Sequence, residues 1–63
     1  MAKIAVLGKE TVDRAFALSQ EGSAFFQQQD FMNAAQKLSE AGALDPLEFS
    51  YFENTGAAYF SAG

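Results

Sequence analysis

From Thr11 onward the apolar residues Val12, Ala15, Phe16, Leu18, Ala24, Phe25 and Phe26 recur at helical spacing, and nothing before Gly22 would break a helix. The pattern predicts a helix over about 11–28. Gly22 falls in its middle, where glycine costs ~1 kcal/mol relative to alanine, so a packing reason such as a neighbouring helix in close approach is expected there. Gln29 and Asp30 then make a short turn, with Asp30 placed to accept backbone N–H groups as the N-cap of a second helix. That helix, over about 31–43, carries Phe31, Ala34, Leu38 and Ala41 at i, i+3, i+7 and i+10, and its polar face is Asn33, Gln36, Lys37 and Glu40. So short a connection makes the pair an antiparallel hairpin. Asp45-Pro46-Leu47-Glu48 reads as the start of a third helix, with Asp45 as N-cap, Pro46 at the first helical position and Glu48 three after the Asp; the body of the helix is expected over about 48–61. The predicted class is all-α, a helix hairpin followed by a third helix. Residues 1–10 are ambiguous between a strand, a tail and the end of a helix from a preceding unit.

Sixty-three residues make one small domain, and a chain of this size buries only ~60% of the surface its unfolded form exposes. With no Cys and no His, neither a disulfide nor a soft-metal site is expected to staple it. An apolar fraction of 49% with seven Phe and two Tyr suffices for a folded core. The net charge is −4, and the four basic residues, Lys3, Lys9, Arg14 and Lys37, are scattered, so no phosphate-tracking stripe and no nucleic-acid partner is expected. No apolar run approaches the ~20 residues of a membrane span. The simplest expectation is a cytoplasmic chain without cofactor or metal.

Aligned at an offset of 34 residues, Gly22 matches Gly56, Ala24 matches Ala58 and Phe26 matches Phe60, with Leu18 against Phe52 and Phe25 against Tyr59 as conservative pairs. Along one period run Leu18, Gly22, Phe25, Phe31, Ala34, Leu38, Ala41 and Pro46, and the pattern restarts at Phe52, Gly56 and Tyr59. This resembles the tetratricopeptide repeat, a helix-turn-helix unit of that period. The resemblance covers about 15–63, one repeat and the first helix of a second. Glu21 and Thr55 depart from it, standing where the family usually carries a large apolar residue.

The resemblance implies a right-handed superhelix whose first helices line a concave groove. Facing that groove would be Phe16, Ser19, Gln20, Ser23, Phe26 and Gln27 from the first helix, and Ser50, Glu53, Asn54, Ala57, Phe60 and Ser61 from the third. Phe26 and Phe60 would then sit side by side as an aromatic floor. The implied function is non-enzymatic: a protein–protein interaction module holding a peptide through Phe16, Gln20, Ser23, Phe26, Glu53, Asn54 and Phe60. No basic residue faces inward, so the ligand should be apolar or neutral, as in a chaperone-like module. The residues that could serve catalysis, Glu10 with Asp13 and Glu48 with Tyr51, stand at ordinary helix-start spacings, and no catalytic site is expected. One and a half repeats leave an open edge at Phe49, Phe52 and Tyr59, with Tyr51 a further candidate. Either the chain is a piece of a longer array, or copies of it assemble, making it a self-assembling scaffold or homo-oligomer.

Overall fold

A computed structural model describes residues 8–63. It contains three helices: α1 (Lys9–Gln27), α2 (Phe31–Leu44) and α3 (Phe49–Ala62). The described residues are all helix or turn, with no strand among them. Of the ambiguous segment 1–10, positions 1–7 lie outside the described residues, as does the basic residue Lys3, whereas Lys9 and Glu10 belong to α1. At that end Lys9 Nζ contacts Asp13 Oδ2 at 2.8 Å, and the carboxylate holds the ammonium above its usual pKa. Both groups are exposed, so the pair contributes little to stability.

α1 ends in a Schellman motif. The Gln29 N–H donates to Phe26 O at 2.9 Å and the Asp30 N–H to Phe25 O at 2.9 Å, while Gln29 takes the left-handed conformation at φ 65°. Glycine usually fills that position. Asp30 occupies the N-cap site of α2, but its carboxylate accepts no backbone N–H; Oδ2 accepts from Asn33 Nδ2 at 2.8 Å instead. The side-chain amide one turn on competes for the carboxylate that the backbone was expected to hold.

The second connection also departs from expectation. Asp45 closes α2, and Asp45 to Glu48 form a turn in which the Glu48 N–H donates to Asp45 O at 3.1 Å. Pro46 therefore takes the second position of a turn, which its fixed φ suits as well as it suits a helix start. Helix α3 begins three residues after Pro46, with Glu48 as its N-cap and no side-chain cap.

The main packing is of α2 against both α1 and α3. The contact surfaces are built from small side chains: Ala15, Ala34, Ala35, Ala41 and Ala58 are fully buried, around Leu38, the one large side chain sealed from solvent among the described residues. Small residues bring the axes close, and two glycines mark the tightest places. A Cβ on Gly22 would lie 2.7 Å from Leu38 Cγ and 3.2 Å from the Ala34 carbonyl oxygen, and one on Gly42 would lie 2.8 Å from the Phe52 ring. The predicted close approach at Gly22 is thus that of α2. Tyr51, read as a further candidate for the open edge, is instead buried beside Ala15 and Ala41, with Leu18 and Leu44 packed on the same cluster. Alanines on both neighbours leave room for one ring at that level, and Tyr51 fills it.

Candidate groove between α1 and α3

Phe16, Gln20, Ser23 and Gln27 follow one another along α1 at i, i+4, i+7 and i+11, so they share one face. Asn54 and Ala57 stand three apart on α3, 34 residues beyond Gln20 and Ser23. Between them lies a pocket of about 230 Å³ lined by Ser23, Phe26, Gln27, Leu38, Asn54 and Ala57. Leu38 belongs to α2 and closes the base, while the two amides and the serine hydroxyl stand at the rim. The side chains offer neutral hydrogen-bonding groups around an apolar floor, and no charged group lines the pocket.

Of the residues singled out from sequence, Ser23, Phe26, Gln27, Asn54 and Ala57 come together here. Phe16 and Gln20 are exposed on the same face of α1, one to two turns nearer its start, outside the pocket lining. Glu53 and Phe60 also lie outside that lining, and Phe60 is 89% exposed. The ring that Phe26 meets is Phe31, edge-on at 5.1 Å, so the side-by-side floor of Phe26 and Phe60 is not formed. Phe26 half-buries itself against Ala34, Ala35 and Ala58 at the end of the hairpin, where Phe31 begins α2. Ser19 is not a groove residue either: it is buried, and its hydroxyl donates to Phe16 O at 2.7 Å. Leu38 was the residue that sequence reading missed at this site. Its place in the stripe of α2 marked it as filler between helices, and it is that buried filler which also backs the gap between α1 and α3.

A larger cavity, about 650 Å³, runs along the hairpin between Arg14, Ala17, Leu18, Glu21, Lys37, Glu40, Ala43 and Leu44. Lys37 Nζ and Glu21 Oε1 meet across it at 3.3 Å. Glu21 is thus tied to α2 by its head, at the position where the repeat pattern carries an apolar residue. Of its four charged residues Glu21 and Lys37 pair with each other, while Arg14 and Glu40 make no ion pair among the described residues, so the chemistry here is charged and does not suit an apolar or neutral ligand. Thr55, the second departure, is half-buried and donates its hydroxyl to Tyr51 O at 2.7 Å.

The candidate acid–base pairs are otherwise engaged. Asp13 faces Lys9, Glu48 Oε2 accepts from the Ser50 hydroxyl at 2.8 Å, and Tyr51 is buried. Among the described residues no group of three acidic side chains could hold a metal ion, and no helix is long and apolar enough to cross a membrane. Comparison with protein-family models, curated proteins and solved structures found no match for this chain.

Proposed function

We propose that the chain is a non-enzymatic, tetratricopeptide-like interaction module that holds an apolar or neutral peptide segment of a partner protein in the groove between α1 and α3. One observation carries the reading: Ser23 and Ala57, 34 residues apart, stand on either side of one pocket with Asn54 and Phe26 beside them. In this reading, helix faces one repeat offset apart would line a single concave surface. The resemblance of the repeat pattern supports the same assignment, as does the packing of Gly22 against α2 at the spacing the pattern requires. Asn54 and Gln27 would hydrogen-bond the peptide backbone, and Phe26 with Leu38 would receive an apolar side chain.

The test is binding of dye-labelled, neutral, Leu- and Phe-containing peptides, read by fluorescence anisotropy. Asn54→Leu keeps the size of the side chain and removes its hydrogen bonds, so it should weaken binding by about tenfold, the effect of one buried hydrogen bond lost. Equal affinity of the parent and Asn54→Leu chains, with Arg14→Ala or Glu40→Ala weakening binding instead, would move the site to the larger cavity and contradict the proposal.

A further inference from the structure

Three glycines lie inside the helices, and two of them are explained within one chain. Gly22 admits Leu38 and the Ala34 carbonyl, and Gly42 admits the Phe52 ring; among the described residues a Cβ on Gly56 would meet nothing within 4 Å. Glycine inside a helix is destabilising unless something uses the missing side chain. Around Gly56 the exposed flank of α3 reads Phe49, Phe52, Gly56 and Tyr59, alternating spacings of three and four, with Phe60 beside them and Phe52 leaning with one side of its ring on Gly42 of α2. That is the spacing of a helix–helix seam. All four aromatic rings are about half exposed or more, while the opposite side of the helix is buried on α2 through Tyr51 and Ala58. A helix apolar on two sides belongs between two packing surfaces, and among the described residues α3 packs on the hairpin, chiefly on α2, along one side only.

We propose that the second neighbour is α3 of another copy of this chain, packed antiparallel with the two helices crossing at Gly56. The area is adequate. The exposed fractions of the four rings amount to about 500 Å² per chain at the usual size of an aromatic side chain, so a pair buries about 1,000 Å², the lower limit of a specific interface. Charge favours a copy as the occupant. The chain carries a net charge of −4, yet Glu53 is the single charged residue of α3, which makes this face the one on which two acidic molecules meet with least repulsion. Charge also sets the direction. A parallel pair in register would set the two Glu53 carboxylates against each other, whereas the antiparallel crossing separates them and places each Phe52 opposite Phe60 of the partner subunit. The interface leaves Asn54 and Ala57 on the groove side, so the assignment does not depend on peptide binding.

Molar mass by light scattering over a wide concentration range, with helicity followed in the same samples, tests it. The expected result is a rise to twice the 6.8 kDa of one chain without growth beyond that. Gly56→Leu adds atoms to open space in the single chain and should keep its helicity, yet raise the dimer dissociation constant by about tenfold or more through overpacking at the crossing. Because the chain has no cysteine, Gly56→Cys should form an intermolecular disulfide under mild oxidation, and Asn54→Cys should not. A single-chain mass at every concentration would leave the face to a helix of another protein and overturn the proposal. So would a dimer that Gly56→Leu leaves unchanged, or open-ended growth, which requires a head-to-tail contact.

Discussion

Gln29 and Gly22 illustrate how much depends on single backbone positions. Gln29 sits at φ 65°, where a side chain clashes with its own backbone. Gln29→Gly should therefore raise stability by about 1 kcal/mol, seen as a higher urea midpoint by circular dichroism; a lower midpoint would show that the Gln29 side chain makes a compensating contact. The glycines of α1 and α3 separate packing from propensity. Alanine is favoured over glycine in both helices by about 1 kcal/mol. At Gly56 nothing among the described residues opposes that gain, so Gly56→Ala should stabilise dilute protein. At Gly22 the new Cβ would press on Leu38, which is sealed, and on the Ala34 carbonyl, which α2 holds in place. Gly22→Ala should cost about 1–3 kcal/mol. Opposite signs from one substitution at two sequence-equivalent positions would show that α2 fills the first and that nothing within the chain fills the second.

At the scale of elements, α2 is the centre of the fold, because α1 and α3 both rest on it. Leu38 supplies its only sealed large side chain, so Leu38→Ala should cost about 2–5 kcal/mol. A domain of this size has little more than that in reserve, and thermal unfolding followed by circular dichroism should show the transition shifted far down or lost. The all-helical class was legible in the sequence because Phe31, Ala34, Leu38 and Ala41 leave no other period. The start of α3 was not, since Pro46 fits a helix start and the second position of a turn equally well. Nor was the inward ring of α3. Tyr51 and Phe52 are adjacent and both sides of the helix are apolar, so only the alanines on the neighbouring helices decide that Tyr51 goes in and Phe52 stays half out over Gly42. The groove was legible as a face of α1, while the turning of Glu53 and Phe60 away from it depends on the rotation of α3 against α2. A repeat offset does not encode that rotation.

For the whole molecule, the aromatic surface divides in two. The sequence assigns Phe26 and Phe60 to the groove and Phe49, Phe52 and Tyr59 to the open edge; in the structure Phe26 belongs to the pocket, whereas Phe49, Phe52, Tyr59 and also Phe60 lie outside its lining. Peptide capture and self-association can therefore coexist in the proposed module. No charged residue lines the pocket and the molecule is acidic, so affinity for a neutral peptide should change little between about 50 mM and 500 mM salt, while acidic peptides should bind worse at low salt, where the field is least screened. A steep loss of neutral-peptide affinity with salt would point to the charged cavity around Lys37 and Glu40. The most direct test of the account is an amide NMR titration of dilute protein with a neutral apolar peptide. The account predicts shifts concentrated at Ser23, Gln27, Asn54 and Ala57, with Gly56 and Tyr59 still; shifts running instead along Arg14, Leu18, Glu21 and Lys37, or none at saturating peptide, would contradict it.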